Sequence, residues 1–202
     1  MCQMATGLGK TATFSQIPRR GRVLLLSHRE ELVEQPRKYY DCSYGIERAT
    51  FHSNGEEVVS ASVQSIARRL NRFAPDEFDM IVTDECHHAG AATYRKIFEH
   101  FTPRLHVGFT ATPNRADNVR LDDVYSDIVF ERDLRWGIEN GWLSPIKCLR
   151  VNIEYDLSGV AKRMGDYAPK ELGQAMNKAE CHNAIAQAYK QFAKGATLIF
   201  AA

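Results

Sequence analysis

Short apolar runs alternate with stretches of helical periodicity along the first two thirds of the chain. The apolar runs predict four strands, at residues 23–26, 56–62, 80–83 and 105–109. Helical spacing predicts helices at 64–72 and 93–101 and a further helix from about Glu30. Continuous apolar runs, as opposed to alternating ones, are typical of strands that are buried on both faces. The pattern therefore predicts an α/β domain in which helices flank a mostly parallel sheet.

The rest of the chain has a weaker pattern. It predicts a short strand at 128–130, a helix at 134–140 and a strand at 146–155. The polar stretch 157–173 contains three glycines and is predicted to be a mobile connector. A final helix is expected at 178–192, with Asn177 as its N-cap and with Cys181, Ile185, Ala188 and Phe192 on one stripe. An apolar strand is predicted at 196–202.

Polar side chains follow the predicted strands at their carboxyl ends. Ser27, His28 and Arg29 follow the first, and the run from Asp84 to His88 follows the third. The segment Thr110-Ala111-Thr112-Pro113 follows the fourth. Because open α/β sheets build their sites at this edge, the sequence predicts a single functional site there.

Composition limits the size of the domain, the cellular environment and the class of partner. The chain has 202 residues and 44% hydrophobic content, which is enough for one large domain or for one domain plus a piece of another. No run approaches the roughly 18 apolar residues of a membrane span. With this, the start of the chain and the cysteine pattern lead us to expect a protein of the reducing cytoplasm. The start has no secretory pattern, and the five cysteines form no C-x-x-C pair. The net charge of +1 does not by itself predict a polyanionic partner.

The segment Met4-Ala5-Thr6-Gly7-Leu8-Gly9-Lys10-Thr11 predicts a phosphate-binding loop. It departs from the G-x-x-x-x-G-K-[ST] pattern in having Met4 at the first glycine position. The glycines allow the backbone to turn and to direct N–H groups at phosphate oxygens. Lys10 would reach the β- and γ-phosphates of ATP, and the Thr11 hydroxyl would bind Mg²⁺.

The acidic pair Asp84-Glu85 is the second candidate for chemistry. Asp84 would hold Mg²⁺ opposite the phosphate loop, and Glu85 would orient or deprotonate the attacking water. The alternative is that two acids simply begin a solvated turn. Cys86-His87-His88 offers too few ligands for zinc, because the other cysteines provide no obvious partners. His87 is instead expected to hydrogen-bond toward the loop of Thr110 and Thr112.

These segments together resemble motifs I, II and III of superfamily 2 helicases, in the DEAD/DEAH-box-like branch that includes restriction-enzyme Res subunits. Further stretches resemble that branch in the same order along the chain; they are Leu25 to Leu32 (motif Ia), Ser62 to Ser65 (motif Ib), Pro113 to Asp117, and Ile138 to Leu143. The resemblance covers about residues 3–150 and the final strand.

The resemblance implies a three-layer RecA-like domain that hydrolyses ATP with Mg²⁺ and acts on nucleic acid, with duplex DNA favoured over RNA. The implied nucleotide contacts are Thr6, Gly7, Leu8, Gly9, Lys10 and Thr11, and the implied catalytic residues are Lys10, Asp84, Glu85 and His87. Ser27, His28, Arg29, Gln64 and Ser65 would contact the sugar-phosphate backbone. Thr110 and Thr112 would couple the state of the bound nucleotide to the binding of the nucleic-acid strand. The implied organisation is an ATP-binding domain at 1–150, a connector and helix at 151–195, and the first strand of a second RecA-like domain at 196–202.

The resemblance is incomplete at both ends. The strand before the phosphate loop is reduced to residues 1–4, and the chain stops before the motifs that carry the family's arginine finger. Such a finger raises the rate by about 10³- to 10⁵-fold in related systems. We therefore expect weak ATP binding and slow hydrolysis by this chain alone, unless separate chains supply the rest of a split enzyme or of a restriction or repair complex. The alternatives are a non-catalytic nucleotide- or DNA-binding remnant and a small-molecule kinase, although no lid or acceptor pocket for a kinase is visible.

Overall fold

A computed structural model describes residues 1–112, 121, 123–150, 157–163 and 166–198 of the chain. The chain divides into two compact units, Met1–Pro145 and Ile146–Ala202. Within the described residues, no helix combines the length and apolar character needed to cross a membrane.

A parallel sheet forms the centre of the first unit. Among the described residues its seven strands are β1 (Cys2–Met4), β2 (Val23–Ser27), β3 (Tyr44–Glu47), β4 (Val58–Ser62), β5 (Met80–Asp84), β6 (Leu105–Thr110) and β7 (Phe130–Arg132). The order across the sheet is β3-β4-β2-β5-β6-β1-β7, and every neighbouring pair is parallel. The carboxyl ends of all seven strands therefore lie at one edge of the sheet.

The helices of this unit are α1 (Lys10–Ser15), α2 (Val63–Arg68), α3 (Ala92–His100) and α4 (Leu134–Glu139). Successive residues of β2 enter different apolar clusters. Leu24 and Leu26 pack with Ile66 of α2 and Ile97 of α3, whereas Leu25 packs with Phe14 of α1. The two clusters lie on opposite faces of the sheet because neighbouring residues of a strand point to opposite faces. This arrangement gives three layers, with helices on both sides of the sheet.

The central strands agree with the sequence predictions to within a few residues, but several other elements differ. In place of the helix from Glu30, the chain forms two 3₁₀ turns, Glu30–Leu32 and Gln35–Tyr39. Pro36 explains the break, because proline has no N–H and cannot donate to the Leu32 carbonyl as a continuous α-helix would require. The predicted helix 64–72 ends as α2 at Arg68 and continues as a 3₁₀ turn, Leu70–Arg72. The edge strand β3 was not predicted, and β7 begins two residues later than the predicted start at 128.

The second unit departs further from the predictions. Residues 146–150 form no strand, and the rest of the predicted strand 146–155 lies outside the described residues. The stretch predicted as a connector contains a small antiparallel pair, β8 (Lys162–Arg163) and β9 (Asp166–Tyr167), and helix α5 (Pro169–Met176).

The last helix, α6 (Ala179–Phe192), has Lys178 as its N-cap rather than Asn177, which instead ends α5. On its predicted apolar stripe Cys181 is buried, whereas Ile185 and Phe192 are about half exposed. Residues 196–198 form no strand, and 199–202 lie outside the described residues. The start of a second RecA-like domain therefore stays a prediction.

Candidate nucleotide and nucleic-acid site

The phosphate loop, residues 5–9, connects β1 to α1 at the carboxyl edge of the sheet. Gly7 and Gly9 have positive φ angles of 90° and 80°, which side chains rarely allow. Helix α1 begins at Lys10, with Gly9 as its N-cap. The loop remains open to solvent at Thr6, Gly7 and Gly9. An anion can therefore approach its backbone N–H groups.

The segment after α4 supports this loop from behind. A Cβ atom at Gly7 would lie 2.9 Å from Leu143 Cδ2, so the loop and Leu143 are in close contact. A Cβ atom at Gly137 would lie 3.1 Å from Leu8 Cδ2. The helicase-like stretch 138–143 thus packs against the loop, a contact that the sequence alone did not predict.

The acidic pair lies next to the phosphate loop. The Lys10 Nζ atom is 3.6 Å from Glu85 Oε1, although 75 residues separate them in the chain. Glu85 adopts a left-handed conformation with φ of 48°, which is uncommon for a residue with a side chain. Its N–H donates to Asp84 Oδ1 over 3.0 Å. The turn after β5 therefore directs the two carboxylates to the end of the strand, beside Lys10.

Asp84 sits in surroundings that favour a cation. Burial raises its pKa above the usual range and the nearby Glu85 carboxylate adds to this, whereas the Glu85 N–H and Lys10 partly offset it. Two carboxylates thus face one ammonium group, and this excess of negative charge would be relieved by a divalent ion. Carboxylate and hydroxyl oxygens are the ligands that Mg²⁺ prefers, so Asp84 and Thr11 fit such an ion by chemistry.

His87 contacts both the acidic pair and the end of β6. Its Nδ1 atom lies 2.9 Å from Thr110 Oγ1 and 3.4 Å from Glu85 Oε2. Thr110 Oγ1 also accepts the Thr112 N–H over 3.1 Å. The expected hydrogen bond between His87 and the 110–112 loop is therefore present, and one imidazole joins Glu85 to that loop.

Cys86 turns back from the acidic pair into the core, where it is fully buried. A Cβ atom at Gly108 of β6 would lie only 2.7 Å from the Cβ and Sγ atoms of Cys86. The turn that carries Glu85 and His87 therefore rests directly on a strand position that has no side chain.

The five residues expected to contact nucleic acid fall into two groups. His28, Arg29 and Gln64 are exposed, and Gln64 Nε2 donates to the His28 carbonyl over 3.4 Å. Ser27 and Ser65 are buried. The Ser65 hydroxyl bonds with Ser62 Oγ over 2.9 Å and accepts the Ala49 N–H over 3.1 Å. Ser65 therefore organises the protein itself, and its hydroxyl is already engaged.

A series of neighbouring imidazole rings leads from the exposed group to the acidic pair. The rings of His28 and His88 stack with centroids 4.3 Å apart, and those of His88 and His87 are 4.1 Å apart. A cavity of about 300 Å³ lies here. Its lining includes Ser27, His28, Arg29, Leu32, Asp84, Glu85, His87 and His88. Three residues expected for hydrolysis (Asp84, Glu85 and His87) and three expected for nucleic acid (Ser27, His28 and Arg29) thus line one space, whereas Lys10, Gln64 and Ser65 are not among its lining residues.

A buried ionic cluster lies at the carboxyl end of β3, the outermost strand on one side of the sheet. No sequence pattern predicted it. Glu47, at the end of β3, is fully buried and is bonded by the guanidinium groups of Arg69 and Arg72 and by the N–H and hydroxyl of Ser53. His52 Nδ1 lies 3.3 Å from the same carboxylate.

Burial alone would raise the pKa of Glu47. The hydrogen bonds from Ser53 and Arg69, with the charge of Arg72, instead hold its pKa below the usual range. The two arginines lie 22 and 25 residues away along the chain. No local spacing therefore signals this contact.

The described residues contain no group of three or more His, Cys, Asp or Glu side chains arranged to hold a metal ion. The run Cys86-His87-His88 accordingly has no cluster of further ligands within that part of the chain.

Fold and site together define an α/β domain with a phosphate loop and an acidic pair, as found in nucleotide-hydrolysing motors. The family model described as "Type III restriction enzyme, res subunit" matches residues 1–115. The chain belongs to this family of superfamily 2 helicases, as its motifs predicted.

Individual proteins agree with this assignment. IRC3 of Saccharomyces cerevisiae is 34% identical over 211 residues, a match that covers 92% of this chain and 31% of that protein. The type I restriction enzyme EcoAI endonuclease subunit of Escherichia coli is 34% identical over 176 residues, covering 77% of this chain and 22% of that subunit. This chain therefore spans less than a third of the length of either relative.

The Hef helicase domain of Pyrococcus furiosus has the same fold, with a TM-score of 0.56 and 21% identity over 72% of this chain and 37% of that one. The predicted α/β RecA-like class with its parallel sheet is thereby confirmed. The chain contains a helicase-type domain of the ATP-dependent kind.

Proposed function

We propose that the unit Met1–Pro145 binds Mg-ATP between the phosphate loop and the acidic pair, and that it uses hydrolysis to act on DNA. The observation that carries this proposal is the 3.6 Å approach of Lys10 Nζ to Glu85 Oε1. A phosphate-binding lysine and a candidate water-orienting carboxylate meet there across the carboxyl edge of a parallel sheet, where such folds bind ligands.

Each residue near this contact has a distinct part in the proposal. The backbone of Thr6, Gly7, Leu8 and Gly9 surrounds the phosphates, and Lys10 binds the β- and γ-phosphate oxygens. Thr11 and Asp84 would hold Mg²⁺, which would supply positive charge to offset the negative charge that develops on the phosphate oxygens.

Glu85 orients the attacking water and accepts its proton. The Lys10–Glu85 ion pair is a resting contact in this scheme, because the phosphates of ATP compete with Glu85 for the ammonium group. Binding of ATP thus makes the carboxylate available to water. His87 keeps its contact with Thr110, so that the position of Glu85 remains connected to the 110–112 loop.

The exposed surface favours nucleic acid in general, and an analogy favours DNA over RNA. His28, Arg29 and Gln64 form an exposed set at the carboxyl edge whose polar groups suit backbone contacts without sequence choice. The EcoAI relative is named as a restriction-enzyme subunit, which suggests DNA by analogy. The same analogy favours a larger restriction or helicase assembly as the partner of this chain.

The test compares E85Q with the unmodified chain, and uses E99Q as a control that changes an exposed carboxylate on α3. Binding of a fluorescent ATP analogue and release of phosphate are measured without nucleic acid, with duplex DNA and with single-stranded RNA. We expect weak ATP binding and slow hydrolysis by the unmodified chain, and we expect E85Q to retain that binding within a few-fold and to lose the hydrolysis by about 10²-fold or more.

Equal hydrolysis by E85Q and the unmodified chain would contradict the proposal. If both bind ATP and neither hydrolyses it under any condition, the chain is instead a non-catalytic nucleotide-binding protein. Stimulation by RNA alone would overturn the choice of DNA.

A further inference from the structure

The loop that follows β3, residues 48–53, presents an aromatic ring to solvent. Phe51 is 53% exposed, and it lies in a loop that is otherwise polar apart from Ala49. About half of its surface is therefore available to a partner. The ring is at the carboxyl edge of the sheet, because β3 is parallel to β4 and ends at Glu47.

The loop holds this ring in a fixed position. Arg48 and Phe51 exchange backbone hydrogen bonds of 3.2 and 2.7 Å across a tight turn. Arg69 donates to the carbonyls of Ala49 and Phe51, and it is itself bonded to buried Glu47. A ring presented on such a support needs little ordering when a partner binds.

The charges around the ring suit a polyanion. The guanidinium group of Arg48 lies over the Phe51 ring, 5.5 Å from its centroid. Arg69 and Arg72 extend from the same side through their contacts with the loop backbone. Among the described residues whose charges contact this loop, three guanidinium groups face two carboxylates, Glu47 and Glu34.

The loop is continuous with the surface assigned above to nucleic acid. The Ala49 N–H donates to Ser65 Oγ in the first turn of α2. The neighbouring residue, Gln64, donates to the carbonyl of His28. Two hydrogen bonds, joined by adjacent residues of α2, therefore connect the Phe51 loop to His28 at the carboxyl ends of the strands.

We propose that Phe51 stacks against an unpaired nucleobase of a single-stranded segment of nucleic acid, with Arg48 beside the adjoining phosphates. Stacking on an aromatic side chain requires a base face that is not covered by neighbouring pairs, which is why the ligand is single-stranded. This inference rests on the proposed function and adds to it a contact that forms only with bases that are unpaired.

The first experiment measures binding of the intact 202-residue chain to a fluorescent thymine 15-mer by anisotropy. Loss of one base–aromatic stack weakens binding by about 5- to 100-fold, so we expect that loss for F51A. F51L should resemble F51A, whereas F51W should restore or strengthen binding. F130A is the matched control, because Phe130 is also partly exposed under an arginine but lies in β7 at the opposite edge of the sheet.

The second experiment separates stacking from support of the loop. The same oligonucleotide is prepared with abasic sites throughout, so that only phosphates and sugars remain. The unmodified chain and F51A should bind it equally. The F51W variant should lose tryptophan fluorescence with the thymine oligonucleotide but not with the abasic one, after subtraction of the signal from Trp136 and Trp142.

The outcomes distinguish this inference from the proposed function. If the unmodified chain binds the thymine 15-mer and F51A binds it equally well, the stacking role is wrong while the motor function is unaffected. If F51A weakens abasic binding to the same extent, the ring supports the loop and does not stack. If the unmodified chain binds no nucleic acid, both proposals fail, and Phe51 is then a candidate contact for a protein partner.

Discussion

Glu85 and Glu47 are both carboxylates at the carboxyl end of a parallel strand, facing basic side chains, yet their surroundings are opposite. Glu85 is 34% exposed, and its nearest cation, Lys10, lies 3.6 Å away. Glu47 is fully buried and is held by two arginines and a serine. The first carboxylate has a partner that it can exchange, whereas the second has partners that it cannot lose without leaving a buried charge.

This difference separates function from stability within one edge of the sheet. A loosely held ion pair near a phosphate loop contributes little to folding, and it leaves both groups able to bind a ligand. A buried and fully bonded carboxylate fixes the loop around it, because every donor is already directed inward. The edge therefore combines an exchangeable site in the middle of the sheet with a rigid support at its end.

The largest expected effect comes from K10A. Loss of the lysine should reduce ATP hydrolysis by about 10²- to 10³-fold, because a preorganised cation at the transferred phosphate is removed. The free energy of unfolding should fall by less than in E47Q, because Glu85 is 34% exposed, although Lys10 is only 11% exposed. Phosphate release and urea unfolding measure the two quantities, and K38A, at an exposed lysine, is the control. A large loss of stability in K10A would erase the contrast with Glu47.

The converse is expected for E47Q. Neutralising this side chain leaves Arg69 and Arg72 facing a group without charge, which should cost about 3 kcal/mol of unfolding free energy. For a chain of this size the melting temperature should fall by about 6–12 °C. Circular dichroism during heating and in urea measures the change. E31Q, at an exposed position, should stay within about 0.5 kcal/mol of the unmodified chain, and a loss in E31Q as large as that in E47Q would show that burial is not the cause.

The pH dependence of stability sharpens the comparison. The pKa of Glu47 is lowered in the folded state, so its ionised form stabilises the fold at pH values above the unfolded-state pKa of about 4.3. That contribution is lost as pH falls through the folded-state pKa. The stability difference between the unmodified chain and E47Q should therefore be constant from pH 7 to 5 and shrink below pH 4. A difference that persists undiminished at pH 3 would rule out ionisation as its source.

A smaller effect of opposite sign is expected for D84N. The pKa of Asp84 is raised in the folded state by burial and by Glu85, so its ionised form opposes folding at neutral pH. Removing the charge should raise the unfolding free energy by up to about 1 kcal/mol while abolishing Mg²⁺-dependent hydrolysis, a trade of stability for function. Urea unfolding at pH 7 and at pH 3.5 tests the sign, because the gain should vanish at the lower pH. A loss of stability at pH 7 would contradict it.

The sequence predicted the central strands because they are buried on both faces and are therefore continuously apolar. It also placed Lys10, Asp84 and Glu85 together, since each follows a strand and the parallel topology brings those ends to one edge. The predicted helix at Glu30 was wrong because Pro36 lacks the N–H that a continuous α-helix would need there.

The edge strand β3 and the Glu47 cluster could not have been predicted in the same way. Residues 44–47 include Gly45 and Glu47, and their burial alternates along the strand, so no apolar run marks them. The bonds from Arg69 and Arg72 depend on where α2 ends, which is a tertiary feature. Phe51 gave no signal either, because an isolated aromatic residue in a polar stretch is as compatible with a core position as with a surface one.

The absence of a side chain at Gly108 of β6 allows the turn after β5 to pack closely against that strand. Position 108 carries only hydrogen, and the Tyr125 ring and the Cys86 side chain occupy the space that an alanine would fill. A larger residue at 108 would have to displace one of them, and displacement of Cys86 would move residues 85–87 together with the proposed water-orienting carboxylate. The position of the proposed catalytic group would then depend on a residue of the neighbouring strand that has no side chain of its own.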